Sequence, residues 1–66
     1  MNIHLNGKPH QVKAATNIAE LLIELGLDGR PVVVEHRLQA LLPKEYPEAA
    51  LTENDQVEII TIVAGG

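Results

Sequence analysis

Between Asn17 and Gly26 the chain spells out a helix with both of its ends marked. Ile18, Leu21, Leu22 and Leu25 stand at i, i+3, i+4 and i+7, which draws one apolar stripe at helical spacing. Asn17 is a suitable N-cap, and Glu20 three residues later completes a capping-box pattern. Gly26 supplies the left-handed residue that ends a helix, with Leu27 placed to fold back on the last turn. A lone amphipathic helix covers one face of a sheet and leaves the other bare. The expected class is therefore α+β, with one main helix, Ile18 to about Leu25, across a four- to five-stranded sheet.

The remaining segments supply the strands. Met1 to Leu5 alternates, and Asn6-Gly7 is a strong signal for a two-residue hairpin, since both residues tolerate the positive φ of a type I′ turn. That loop sets Leu5 opposite Lys8, Ile3 opposite His10 and Met1 opposite Val12. Pro9 lacks an N–H, so the second strand belongs at a sheet edge. Asp28-Gly29-Arg30-Pro31 is a turn, Val32 to Glu35 a strand, and Leu38 to Leu42 a weaker strand closed by Pro43. Lys44 to Ala50, with Pro47 inside it, reads as a loop holding one helical turn. Leu51 to Asp55 turns the chain with Asn54 in the left-handed region. Gln56 to Val63 is a β-branched final strand. If Val57 and Ile59 face the helix, Ile60 and Ile62 face away with Val33 beside them. An uncovered aliphatic patch of that kind marks a protein interface.

Sixty-six residues make one small domain, read as residues 1–63 followed by a flexible tail, 64–66. There are no cysteines and no serines, so no disulfide framework, no thiolate metal site and neither of those nucleophiles is available. Leu, Ile and Val fill 21 of the 66 positions, and Tyr46, its ring expected over the loop with a wet hydroxyl, is the sole aromatic. This suffices for a compact core without a large internal cavity. The net charge of −4 argues against nucleic acid. Five carboxylates and no Lys or Arg lie between Glu45 and Glu58, a distribution that complements a basic docking surface. Read individually, Glu45, Glu48, Glu53 and Asp55 are solvated loop acids. His4 and His10 fall on opposite faces of the hairpin and His36 in another element. The three read as ordinary surface or rim histidines, not as metal ligands. With no apolar run of transmembrane length and no signal peptide, the expectation is a soluble cytoplasmic protein.

What chemistry is left sits in Ala64-Gly65-Gly66. Three extended residues carry a carboxylate about 10 Å beyond Val63. Residues with almost no side chain can thread a narrow cleft and leave an activated glycyl carbonyl unhindered. A carboxylate is a poor electrophile and needs activation, normally by ATP to an acyl-adenylate. The chain offers no base, oxyanion hole or phosphate loop for that step. It reads as the substrate of another enzyme and not as a catalyst.

Met1-Asn2-Ile3-His4-Leu5-Asn6-Gly7, Asn17-Ile18-Ala19-Glu20-Leu21-Leu22 with Leu25-Gly26-Leu27, Val32-Val33-Val34-Glu35, Pro43-Lys44-Glu45-Tyr46, Leu51 through Ile59, and Gly65-Gly66 occur in an order and spacing that resembles the ThiS family. These are small ubiquitin-like β-grasp sulfur carriers of thiamine biosynthesis. The resemblance implies a mixed sheet whose first and last strands are parallel and adjacent at its centre. It also implies that Gly66 is adenylated by a ThiF-like enzyme using ATP, is converted to a thiocarboxylate with sulfur from a persulfide enzyme, and delivers that sulfur to thiazole synthase, ThiG. No cofactor is expected on the chain itself. Ala64, Gly65 and Gly66 would thread the partner's site, and Ile60, Ile62 and Val33 would dock it. Two departures stand out. The family often turns with Asn-Gly after the third strand, where this chain has His36-Arg37-Leu38, and Asn54 replaces a common Gly. The small subunit of molybdopterin synthase shares the fold and the Gly-Gly end, and a ubiquitin-like conjugation or binding module is the alternative of another class. From the helix pattern alone, Leu21→Ala is expected to destabilise strongly and Glu24→Ala, on the polar side, only slightly.

Overall fold

The first hairpin forms as its turn residues require. In the computed structural model, which describes residues 1–62, β1 (Asn2–Leu5) and β2 (Lys8–Gln11) pair antiparallel with Leu5 opposite Lys8 and Ile3 opposite His10. Asn6 and Gly7 both take positive φ, 52° and 80°. The Val12 N–H donates to the Met1 carbonyl at 2.8 Å and extends the ladder by one pair. Pro9 lies on β2, at the sheet edge.

Helix α1 runs Ile18–Glu24, with Leu25 as its C-cap. Asn17 Oδ1 accepts the Glu20 N–H at 2.8 Å. The other half of the expected capping box differs. The Glu20 carboxylate reaches past Asn17 to the N–H and hydroxyl of Thr16, at 2.7 and 2.6 Å. At the far end Gly26 has φ 74°, its N–H donates to Ile23 O, and the Leu27 N–H donates to Leu22 O. This double bond pattern is a Schellman motif, which satisfies two carbonyls the helix leaves open.

Beyond the helix come β3 (Val32–His36), β4 (Gln39–Ala40), a 3-10 helix (Pro43–Glu48) and β5 (Gln56–Thr61). The strand predicted over Leu38 to Leu42 is much shorter, because Arg37 and Leu38 form the turn instead of strand, at φ 53° and 69°. Leu41 still donates its N–H to Val34 O at 2.9 Å. Asn54 takes φ 66°, in the left-handed region. The sheet order is β2-β1-β5-β3-β4, with β5 at the centre, parallel to β1 and antiparallel to β3. This is the ubiquitin-like β-grasp fold.

The core lies between α1 and the helix-facing side of the sheet. Ile18 and Leu21 from the helix meet Ile3, Val34 and Val57 from three strands, and all five are buried. Each such side chain contributes about 1.5–3 kcal/mol by leaving water. The two ends of α1 are tied down separately. Ile18 N–H donates to Ala49 O and Leu51 N–H to Thr16 O, so the start of the helix is stitched to the segment that follows the 3-10 helix. Glu24 accepts the N–H groups of Lys13, Ala14 and Ala15, at 2.9 to 3.2 Å, and closes the connection from β2. Those bonds hold its carboxyl below the usual glutamate range.

Leu21→Ala should cost about 2–5 kcal/mol as a deletion from a filled core. Glu24 departs from the expectation of a silent polar position, because its removal strands three backbone donors. Glu24→Ala should lower the urea midpoint clearly more than Glu48→Ala, whose side chain is exposed. Equal midpoints for those two variants would show that water replaces the Glu24 carboxylate without loss.

Candidate functional site

Strand alternation divides β5 between two environments. Val57 and Ile59 are buried under the helix, while Gln56, Glu58 and Ile60 project from the opposite face. The register with β3 sets Val33 beside Ile60 and Glu35 beside Glu58 on that outer face. Ile60, Ile62 and Val33 are 57, 52 and 39 % exposed. Ile62 follows directly on the strand, with its N–H bonded to Pro31 O at 2.9 Å. The three aliphatic side chains named from the alternation pattern are thus exposed large hydrophobics towards the C-terminal end of β5. Ala64, Gly65 and Gly66, the other residues singled out in the sequence, lie outside the described residues.

At the opposite end of the same face is a shallow cleft of about 260 Å³. Its lining includes His4 from β1, Glu35 from β3, Gln56 and Glu58 from β5, and Leu38 from the β3–β4 turn. Leu38 is 81 % exposed, the highest value among the large hydrophobics of the described residues. Reading Leu38 into a strand hid this position, because a two-residue turn with neither Gly nor Asn carries no turn signal.

The histidines separate as the hairpin register requires, with His4 on the outer face and His10 on the core side. His36 corrects the rim assignment. It is buried, and its Nε2 lies 2.8 Å from Asp55 Oδ2. A carboxylate can only accept, so the proton of this bond sits on Nε2. Arg37 Nε donates to Asp55 Oδ1 at 2.7 Å, and its Nη2 donates to Thr52 Oγ1 at 3.1 Å. The Thr52 N–H also donates to Asp55, at 3.1 Å. Asp55 is therefore a buried, fully engaged side chain and not a solvated loop acid. Burial works to raise its carboxyl, but the hydrogen bonds from Arg37, His36 and the Thr52 N–H outweigh it and hold the group at about 2. The alternation that puts Val57 and Ile59 inward places Asp55 inward too when continued one step back. The same step from Val34 reaches His36.

Glu53 and Glu45 are likewise structural. Glu53 accepts the Asn2 N–H, and Glu45 accepts the Leu42 N–H at 2.7 Å. Tyr46 is half-buried and packs against the core cluster. No helix among the described residues is long and apolar enough to cross a membrane.

The ThiS family matches residues 3–66 of the chain. The sulfur carrier protein ThiS of Thermus thermophilus is 33 % identical over 64 residues, covering 97 % of this chain and 98 % of that protein. A thiazole synthase of Magnetococcus marinus is 38 % identical over the whole chain, which spans only 20 % of that longer protein. The crystal structure of the thiamine biosynthesis protein ThiS from Geobacter metallireducens aligns at a TM-score of 0.83 and 32 % identity, covering all of both chains.

The Asp55 cluster makes stability depend on acid. Because the folded carboxyl titrates near 2 and the ordinary value is 3.8, its contribution is complete above about pH 4. It is lost as the pH falls through about 2, with a size of about 2 kcal/mol. Asp55→Asn should flatten that part of the stability-versus-pH curve. Urea titrations of both proteins between pH 2 and 5 check this, and parallel curves would contradict it.

Proposed function

Since the chain belongs to the ThiS family of sulfur carriers of thiamine biosynthesis, we propose that it carries sulfur as a thiocarboxylate on Gly66 and gives it up for thiazole formation. The observation that carries this reading is the family match across residues 3–66, which takes in the β-grasp domain and Ala64-Gly65-Gly66 together. In this reading residues 64–66 are the reactive tail and the domain is its handle.

The chemistry divides between the chain and its partners. A Gly66 carboxylate oxygen attacks the α-phosphorus of ATP on a ThiF-like enzyme, pyrophosphate leaves, and an acyl-adenylate results. The terminal sulfur of a persulfide enzyme then displaces AMP. A second thiol cleaves the acyl disulfide, reducing its S–S bond and leaving the thiocarboxylate. No cofactor stays on the chain, and its own residues dock and position. Val33, Ile60 and Ile62 form the apolar patch that meets the partner, at the end of β5 nearest the tail. The acceptor is thiazole synthase, ThiG, a partnership supported by the similarity of the chain to one segment of a protein named thiazole synthase. In this reading the carrier works where ATP and these enzymes are available, in the cytoplasm.

Docking and chemistry should be separable. Deleting Gly66, or adding one residue after it, should abolish sulfur loading with the fold unchanged, since the reacting atom moves while no core contact does. Ile60→Asp should leave the isolated domain folded but weaken its complex with the adenylating enzyme, by setting an unpaired charge in an apolar contact. Intact mass after loading, which reads the exchange of oxygen for sulfur, measured beside complex formation, tests both. Undiminished loading without Gly66 would sink the sulfur-carrier reading, and an amide-linked product would point to a conjugation tag instead.

A further inference from the structure

The geometry points to Leu38 and the cleft beside it as a second anchor on the docking face, one that takes a cationic side chain of the adenylating partner between Glu35 and Glu58. This rests on the docking role proposed for Val33, Ile60 and Ile62, and extends it to the other end of the same sheet face.

The turn joining β3 to β4 consists of Arg37 and Leu38, both with positive φ. Positive φ is unfavourable for side chains other than glycine, and asparagine offsets part of the strain through its own polar group. Arg37 has a structural return for its conformation, because its guanidinium holds Asp55 and Thr52. Leu38 has none. It is 81 % exposed and is absent from the core cluster and from the partly buried residues packed against it. The chain thus keeps a large aliphatic side chain where backbone strain and solvent exposure both oppose it.

The surroundings specify what could cover it. Glu35 and Glu58 sit directly opposite each other across β3 and β5, and like charges so placed repel. Neither forms an ion pair among the described residues, where the recorded pairs are those of Asp55 with His36 and Arg37. Both carboxylates and Leu38 line the cleft of about 260 Å³. An arginine or lysine of a partner entering there meets two carboxylates with its charged head and can lay its methylene stem along Leu38. The Val33–Ile60 pair lies two residues along the same strands on the same face, about 7 Å away. One basic protein surface can therefore cover the cleft and the apolar patch together.

The experiment measures binding of the full chain to its ThiF-like adenylating enzyme by calorimetry at low and high salt, with a thermal melt of each variant. Leu38→Gly should melt at the same temperature as the parent or higher, because the turn strain is relieved. Its binding should nevertheless weaken about tenfold or more. Glu35→Gln and Glu58→Gln should each weaken binding and reduce its salt dependence. Parent-like binding by Leu38→Gly, or a lower melting temperature, overturns the anchor. Ile60→Asp separates the two levels. If it weakens binding while Leu38→Gly and the Glu variants do not, the anchor falls and the docking patch stands. If none of them weakens binding, the docking reading falls as well.

Discussion

The parallel contact between β1 and β5 is short, and the placement of nearly every other element follows from it. Two residue pairs define its register, His4 with Gln56 and Leu5 with Val57. The backbone supplies bonds from His4 N–H to Asp55 O and from Asn6 N–H to Val57 O. The Asn6 side chain then continues the ladder past the turn, accepting the Ile59 N–H at 2.7 Å and donating to Ile59 O at 3.1 Å. A residue chosen for its turn geometry thus also acts as one more rung. Parallel neighbours cannot be joined by a tight hairpin, so the chain between them must cross over one face of the sheet. That crossing carries α1, and it decides which face of β5 becomes core and which meets solvent.

The acidic residues acquire a different meaning in this light. Glu20, Glu24, Glu45, Glu53 and Asp55 all accept backbone N–H groups, at the helix start, the β2–α1 connection, the 3-10 helix, β1 and the turn before β5. In a domain this small a large fraction of the backbone lies in connections, and its donors must find acceptors outside the ladders. Carboxylates fill that need. Glu35 and Glu58 are the acids that strand alternation sends to the outer face, so the charge available there is more localised than the acidic composition suggests.

A sulfur carrier has little use for a pocket and much use for a rigid handle. On the proposed function its reacting group travels between partner sites, and the partners need a surface that identifies the carrier. A β-grasp sheet supplies both, because its central strand is held on either side and leads directly into the last residues of the chain. The bare sheet face is a liability for a free monomer. In the function proposed above, that same surface offers recognition area to a partner without any change in the core.

Much of this architecture is legible in the amino-acid sequence, because local signals decided it. The stripe Ile18, Leu21, Leu22 and Leu25, the Asn17 cap, the Gly26 stop and the Asn6-Gly7 turn all act through contacts within a few residues, and the fold honours each. Alternation likewise placed Val57 and Ile59 inward and Ile60 outward. Tertiary structure decided what depends on distant partners. Asp55 reads as a loop acid until β3 brings His36 and Arg37 against it, and Glu24 reads as a solvated helix position until the Lys13–Ala15 backbone turns back towards it. Arg37-Leu38 has no turn chemistry of its own. The pairing of β3 with β4 and the Asp55 anchor hold that turn in a conformation its residues would not choose alone, and whether an isolated side chain is strained or buried is settled only by what the rest of the chain packs around it.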